Sequence, residues 1–219
     1  MSTLTDNATC NLTVSGLGCE RGDRRLFAEV AFHLEPGEVL RVEGANGSGK
    51  TTLLRTLCGL RQADEGDILW NGEPIGQVRP EFNAELTYIG HLPGIKADLS
   101  PLENLAVDCA LHRARDDADA MAALDRVGLF GFEDLPARTL SAGQRRRVAL
   151  ARLFLMDTRL WVLDEPFTAL DVRGVAMLAE CIDTHIARGG MVIFTTHQDI
   201  AFTHSRPRRL VLGQAGGTA

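Results

Sequence analysis

Residues 44–51 read Gly-Ala-Asn-Gly-Ser-Gly-Lys-Thr, the complete pattern G-x-x-x-x-G-K-[ST]. The mostly apolar run 39–42 precedes this segment, and a helical pattern at 52–57 follows it. A strand therefore ends, glycines let the backbone curl, and several N–H groups converge at the N-terminus of a helix. Such a loop binds phosphate oxygens through its N–H groups and the positive end of the helix dipole. A Gly-rich turn with an unrelated lysine would not require agreement at all these positions and at both flanks, so the sequence predicts a nucleoside triphosphate site.

Two side chains of this loop have predicted tasks of their own. We expect Lys50 to reach the β- and γ-phosphates and the Thr51 hydroxyl to bind Mg²⁺. The residues of this segment that we predict to contact the nucleotide are Gly44, Ala45, Asn46, Gly47, Ser48, Gly49, Lys50, Thr51 and Thr52.

The composition restricts the class of protein. A chain of 219 residues with 45% hydrophobic content is long enough for one globular domain with a smaller subdomain. The net charge of −6 argues against a nucleic-acid partner. Five scattered cysteines without C-x-x-C spacing indicate reduced thiols. The first residues lack an export signal and no apolar run approaches the roughly 18 residues of a membrane span, so we expect membrane association only through a partner.

The order of patterns along the chain predicts one α/β domain over residues 1–219. Short strand patterns, the first at Leu12–Val14, dominate the first part, and Ile68–Trp70 followed by Asn71-Gly72 predicts a hairpin. A capping pattern at Ser100–Glu103 opens a helical subdomain over about residues 92–140, with helices to Leu111 and from Asp117 to Val127. Strand patterns return at 160–163 and 191–194, and we predict a disordered tail over about 213–219.

The buried strand pattern Leu160–Leu163 ends in two acids, Asp164 and Glu165. A carboxylate that leaves a buried strand beside a phosphate loop is typical of a Mg²⁺ site, and we assign Asp164 to it, through water. Glu165 is next in line to polarise an attacking water as general base. The alternative, two surface acids before a proline turn, fits less well because four consecutive apolar residues precede them.

Ser141, Ala142, Gly143 and Gln144 precede a helical pattern that runs from Arg145 to Leu155. Ser141 and Gln144 form a capping box, which alone would explain the segment. A serine hydroxyl with free N–H groups at a helix start is also a second anion site. Both interpretations stay open, and the second implies that this site serves another copy of the protein.

His197 follows the buried strand pattern 191–194. A lone histidine is more often a polar residue with ordinary partners than a catalytic one. Ligands bind, however, at the carboxyl ends of strands in open α/β sheets. Because the other motifs are present, we interpret His197 as a contact of the γ-phosphate.

Taken together, these stretches resemble the ATP-binding subunit of ABC transporters from about Leu12 to Leu212. The resemblance implies an α/β P-loop ATPase fold with a mostly parallel core sheet, an N-terminal antiparallel β region and a helical subdomain. It also implies a homodimer in which ATP lies between one subunit's phosphate loop and the other's Ser141–Gln144 segment. Lys50, Glu165 and His197 would be catalytic, and Asp171 would couple the two sites.

The segments 88–96, 141–153 and 165–171 narrow the resemblance to the haem-exporter ATP-binding subunits of cytochrome c maturation. That group implies two integral membrane subunits as partners, an indirect link to a periplasmic haem chaperone, and a peripheral place on the cytoplasmic face of the bacterial inner membrane. ATP and Mg²⁺ are the implied cofactors, and no nucleic acid is expected.

Three positions depart from the family pattern. Ala142 replaces a glycine, and a methyl group is tolerable at a helix start. His91 stands where a Mg²⁺-contacting glutamine is usual, although imidazole favours softer metals. Arg21 stands where an aromatic residue usually stacks on adenine, and a guanidinium plane can also stack on a base.

Other functions remain open at this point. The chain would also fit the ATPase subunit of another small ABC exporter. A soluble ABC ATPase that acts on DNA or ribosomes usually carries duplicated cassettes or long coiled-coil inserts, and neither occurs here. A nucleotide-gated binding module without turnover is disfavoured by the presence of Glu165 and His197.

Overall fold

The computed structural model describes residues 10–22, 24–112 and 117–213. The strands in chain order are β1 (Leu12–Arg21), β2 (Arg24–Leu34), β3 (Val39–Glu43), β4 (Glu65–Trp70), β5 (Glu73–Pro74), β6 (Leu86–Ile89), β7 (Leu160–Leu163), β8 (Met191–Thr195) and β9 (Arg208–Val211). The helices are α1 (Lys50–Leu57), α2 (Arg79–Ala84), α3 (Pro101–His112), α4 (Asp117–Arg126), α5 (Ala142–Ala151) and α6 (Val172–Ala187), with 3₁₀ turns at Ala137–Thr139 and Arg152–Phe154.

The strands form two sheets. The first is antiparallel, with the order β2-β1-β4-β5, and the predicted hairpin at Asn71-Gly72 joins its last two strands. The second is parallel, with the order β6-β7-β8-β3-β9. Every residue of β7 and β8 is buried, as expected for parallel strands covered on both faces. The predicted α/β fold class is confirmed.

Three helix starts follow from local side-chain chemistry. Ser100 and Glu103 bond each other's backbone N–H groups at the start of α3, and Ser141 and Gln144 do the same at α5. Asp171 caps α6 by accepting from the Gly174 N–H at 2.9 Å. Both predicted capping boxes are confirmed.

The helical prediction for Arg145–Leu155 had the wrong bounds. The α-helix begins at Ala142, because the capping box satisfies the first N–H groups there, and it ends at Ala151. A 3₁₀ turn continues to Phe154. The strand predicted at 12–14 is longer in the structure, since β1 continues to Arg21. No sequence pattern that we recognised predicted helix α6.

The described residues form three apolar clusters in the interior. One lies between the two sheets, a second packs α5 and α6 on the parallel sheet, and a third lies among α3, α4 and α5. Because α5 contributes Ala149 and Leu150 to the second and Val148 and Ala151 to the third, it joins the helical region to the sheet. The boundaries 92–140 for a helical subdomain stay a prediction.

Several smaller expectations also have outcomes. The five cysteines all lie among the described residues, and none of them forms a disulfide bond there. None of the helices among the described residues is long and apolar enough to cross a membrane. Of the tail predicted to be disordered, Gly213 lies in a turn, and residues 214–219 lie outside the described residues.

Candidate functional site

An open cleft of about 510 Å³ lies at the carboxyl ends of the parallel strands. Parallel strands place their carboxyl ends at one edge of a sheet, where ligands bind in α/β folds. Most of the predicted site residues line this cleft: Arg21, Asn46, Gly47, Gly49, Lys50, Thr51, Thr52, His91, Asp164, Glu165 and His197. Gly44, Ala45 and Ser48 belong to the same loop without lining the cleft.

The phosphate loop joins β3 to α1, and two of its glycines are sterically required. Gly49 has φ +97°, and an added Cβ would lie 3.1 Å from the Cβ of Leu26. At Gly44 an added Cβ would lie 3.0 Å from the carbonyl oxygen of Leu212. The Lys50 ammonium donates to the Gly44 carbonyl at 2.7 Å and to the Ala45 carbonyl at 3.3 Å. The lysine therefore closes the loop with internal hydrogen bonds.

Asp164 is 1% exposed and directly follows β7. Its Oδ1 accepts a hydrogen bond from the Thr195 hydroxyl at 2.9 Å, and its Oδ2 is buried without a hydrogen-bond partner among the described residues. A buried carboxylate oxygen without a donor is costly unless a cation or water meets it. With the Thr51 hydroxyl on the same cleft, this donor set fits a hard cation such as Mg²⁺, which prefers oxygen ligands and keeps several waters.

Glu165 sits at the neighbouring position with a left-handed backbone, φ +50°. Its side chain is 14% exposed, and its Oε1 lies 3.3 Å from Nε2 of His197. Its N–H donates to the Thr195 hydroxyl at 2.8 Å. The structure thus brings two of the three residues that we predicted to be catalytic, Glu165 and His197, into contact at the cleft.

Arg21 and His91 lie on this cleft from two different elements. Arg21 ends β1 and His91 follows β6, and both are exposed. Their predicted tasks in stacking on adenine and in metal contact stay predictions.

Sequence reasoning missed four residues of the site. Leu26 and Thr168 line the cleft. Thr195 bridges Asp164 to the Glu165 N–H, and Arg146 donates to the carbonyls of Asp164 and Glu165. Thr195 carried a usable signal, because it ends the strand pattern that precedes His197 and therefore lies at the carboxyl edge of the sheet.

Ser141, Ala142, Gly143 and Gln144 do not line this cleft. Their segment packs instead beside Ala169: a Cβ added at Gly143 would lie 2.7 Å from the Ala169 carbonyl oxygen, so glycine is required there. Asp171 is exposed and pairs with the Arg147 guanidinium, which also donates to the Val127 carbonyl at 2.8 Å. These contacts join the segment after β7 to α5 and to the end of α4.

Comparison with known proteins agrees with this geometry. The family model described as ABC transporter matches residues 27–168. A protein of Methylococcus capsulatus called cytochrome c biogenesis ATP-binding export protein CcmA is 55% identical over 187 residues, 85% of this chain and 90% of that protein. Proteins of the same name from Nitrosomonas europaea and Escherichia coli K12 are each 51% identical, over 92% and 90% of this chain and 95% and 93% of their own lengths.

Solved structures show the same fold at low sequence identity. The ATP-binding subunit of an ABC transporter superposes with a TM-score of 0.81 at 22% identity, over 92% of this chain and 85% of that one. A dimeric ATP-binding cassette in a post-hydrolysis state with ADP and Pi has a TM-score of 0.79 at 20% identity, over 92% of this chain and 94% of that one. With the phosphate loop, the paired acids and His197 on one cleft, the chain belongs to the ABC transporter family as an ATP-binding ATPase, in the group of cytochrome c biogenesis ATP-binding export proteins.

Proposed function

We propose that two copies of this chain pair so that each ATP lies between the phosphate loop of one copy and the Ser141–Gln144 segment of the other. One observation carries the proposal: this segment presents an exposed, capped helix start, yet lies outside the cleft of its own chain. The capping box occupies the Gln144 N–H, whereas the N–H groups of Ala142 and Gly143 have no partner within the helix and attract anions. A solved relative of the same fold is described as dimeric with ADP and Pi.

In the assembled site, the side chains of one cleft share the hydrolysis. The Lys50 ammonium moves from the carbonyls of its loop to the β- and γ-phosphates, and His197 donates to the γ-phosphate. Glu165 accepts a proton from the attacking water as the water oxygen bonds to the γ-phosphorus, and the bond from that phosphorus to the β–γ bridging oxygen breaks, so that ADP leaves and inorganic phosphate forms. The remaining donors stabilise the charge on the γ-phosphate oxygens. When bound, Mg²⁺ neutralises phosphate charge; Thr51 and Asp164 would hold it, with His91 as a further neighbour.

Asp171 is the proposed coupling residue between the two nucleotide sites. It starts α6, and its carboxylate is shared between the Gly174 N–H and the Arg147 guanidinium of α5. Ser141 caps the start of α5, so a movement of α5 when the partner's nucleotide binds would change the contact between Arg147 and Asp171. Ala169, whose carbonyl oxygen faces Gly143 of α5, has a left-handed backbone with φ +64°.

The hydrolysis drives an exporter of c-type cytochrome biogenesis, which delivers haem toward a periplasmic chaperone, at the cytoplasmic face of a bacterial inner membrane. The names of relatives above 50% identity support this assignment. Exposed apolar side chains in the helical region offer a surface for the two membrane subunits: Leu92 is 79% exposed and Phe130 is 78% exposed.

Substitution of Ser141 tests the paired site. Ser141→Arg places a bulky cation at the helix start and should leave ATP binding to one copy intact while blocking the dimer. Size-exclusion chromatography with ATP, in a Glu165→Gln background that slows hydrolysis, measures the pairing. Equal dimerisation with and without Ser141→Arg would refute the paired site.

The exporter assignment is tested by purifying the tagged chain from its native membranes in detergent. Two polytopic proteins and a haem chaperone should co-purify and be identified by mass spectrometry. Recovery of unrelated permeases would keep the ATPase and overturn the haem assignment, and recovery of ribosomes or DNA alone would favour a soluble ABC ATPase.

A further inference from the structure

The guanidinium of Arg146 is buried beneath the site, since the residue is only 3% exposed. Each of its three nitrogens donates to main-chain carbonyls and none to a carboxylate among the described residues. Nη1 reaches the carbonyls of Gly90 at 2.8 Å and His91 at 3.5 Å, Nη2 those of Asp164 at 2.9 Å and Glu165 at 2.8 Å, and Nε that of Pro166 at 3.3 Å.

These carbonyls belong to two separate segments of the chain. One follows β6 and carries His91, and the other follows β7 and carries the two acids of the cleft. Since β6 and β7 are adjacent in the parallel sheet, the two segments leave the sheet side by side. A single rigid guanidinium thus fixes both segments relative to each other.

A buried cation whose hydrogen bonds among the described residues all go to carbonyl oxygens requires accurate placement of those carbonyls. Burial lowers the pKa of Arg146, and the neighbouring charges of Asp164 and Glu165 oppose that shift. A buried cation with a lost acceptor is strongly disfavoured, so the carbonyls cannot turn away without cost. Lysine has only three donors on a single nitrogen, and it could not reproduce the planar fork that contacts both segments.

One of the carbonyls that Arg146 contacts belongs to Glu165, the residue of the site with the unusual backbone conformation. Glu165 has a left-handed backbone with φ +50°, and a glutamate keeps this conformation only when the surrounding structure fixes it. The Thr195 hydroxyl accepts from the Glu165 N–H, and Arg146 donates to the Glu165 carbonyl. Both ends of the residue are therefore held, and the direction of its side chain follows from them.

We propose that Arg146 is a positioning residue for ATP hydrolysis: it holds the Glu165 backbone so that the carboxylate meets the attacking water, and ties it to the His91 segment. The inference rests on the proposed role of Glu165 as general base. Arg146 lies on α5, and Ser141 caps the start of this helix. The helix that would meet the partner's ATP therefore also orients the base of its own site.

The test separates turnover from binding in Arg146→Lys and Arg146→Met. A misplacement of about 1 Å costs about 10²-fold in rate, so we expect kcat to fall by about that factor in Arg146→Met and by less in Arg146→Lys. The dissociation constant of a fluorescent ATP analogue should change less than about threefold, because the phosphate loop is untouched. Arg152→Lys is the matched control, since Arg152 directly follows α5 and pairs with Asp108 away from the cleft.

A double-mutant cycle with Glu165→Gln identifies the route of the effect. If Arg146 acts through Glu165, Arg146→Lys should lower kcat when Glu165 is present. In the Glu165→Gln background, the same substitution should lower kcat no further. An equal loss in both backgrounds, or wild-type kcat in both Arg146 variants, would overturn the inference. If Glu165→Gln itself hydrolysed ATP at the wild-type rate, the role of Glu165 would fail instead, so the two failures are distinguishable. Thermal melting within a few degrees of wild type confirms that each variant is folded, and Arg146→Lys carries the test if Arg146→Met is not.

Discussion

At the scale of single residues, the site depends on polar groups that already have partners within the chain. Lys50 bonds two carbonyls of its own loop, Glu165 contacts His197, and Thr195 serves both acids of the cleft. Nucleotide binding must therefore exchange existing contacts for new ones, and each side chain contributes only the difference between the two sets.

Replacement of Lys50 tests this difference. Lys50→Ala removes the main cation of the phosphate loop and the two internal hydrogen bonds. A hydrogen bond to a charged group contributes about 1.5–3 kcal/mol, so we expect nucleotide binding to weaken by about 10–100-fold. Titration with a fluorescent ATP analogue measures the effect, and Lys96→Ala, an exposed lysine outside the cleft, is the control. Affinity within threefold of wild type in Lys50→Ala would contradict the role of the ammonium.

Motifs that are contiguous in sequence gave the residues of the site more reliably than residues that act across the fold. Gly44–Thr51 and the acids after β7 were found because local backbone chemistry specifies them. Arg146 is one of three consecutive arginines, and nothing in its sequence neighbours shows that its carbonyl partners lie about 20 and 55 positions away. Tertiary hydrogen bonds of that kind leave no periodic trace.

At the scale of elements, strands and helices followed their patterns where a cap or turn marks the boundary. Ser100 and Ser141 started helices as expected, and the hairpin at Asn71-Gly72 formed. The end of α5 was missed because the apolar run through Leu155 continues as a 3₁₀ turn, whose local pattern differs little from an α-helix.

The contact between α5 and the segment after β7 predicts a strict size limit at Gly143. A Cβ there would lie 2.7 Å from the Ala169 carbonyl oxygen, so Gly143→Ala must displace the backbone of one segment. We expect weaker ATP-dependent dimerisation with nearly unchanged nucleotide binding by the single chain. Gly131→Ala is the control, because a Cβ at Gly131 meets no atom within 4 Å among the described residues. Since Gly131 has a φ of +84°, this control carries backbone strain without a steric contact. Normal dimerisation of Gly143→Ala by size-exclusion chromatography would contradict the prediction.

The packing of α6 on β7 predicts a pH-dependent stability. The His185 ring stacks on Trp161 with centroids 3.7 Å apart, and burial lowers the pKa of His185 from 6.5 to about 4. In the unfolded chain His185 therefore binds a proton below about pH 6.5, whereas in the folded chain it binds one only below about pH 4. The free energy of unfolding should fall as pH decreases through this window, by up to about 3 kcal/mol from this residue.

Urea unfolding at pH 7, 6, 5 and 4.5 measures this contribution. His185→Gln should flatten the dependence, whereas His204→Gln, at an exposed histidine, should leave it as in the wild type. An unchanged slope in His185→Gln would assign the pH dependence to other groups.

At the scale of the whole molecule, the Ser141–Gln144 segment does not line the cleft that the phosphate loop of the same chain lines. If hydrolysis needs both, a detached chain is incomplete and its rate depends on encounter with a second copy. We expect the specific ATPase activity to rise with protein concentration and then to reach a plateau, at Mg²⁺ and ATP in excess.

Enzyme assays over a hundredfold range of concentration test this dependence. Ser141→Arg should stay low throughout the range, which controls for concentration effects unrelated to pairing. Constant specific activity at concentrations where light scattering shows a single copy would contradict the need for a partner.

The internal hydrogen bonds of Lys50 have a consequence for how the phosphate loop takes up a nucleotide. Without these bonds a glycine-rich loop would sample more backbone conformations, and nucleotide binding would first have to order it. The hydrogen bonds to the Gly44 and Ala45 carbonyls instead hold the loop in one conformation. We therefore expect a nucleotide to replace these hydrogen bonds without first having to order the loop.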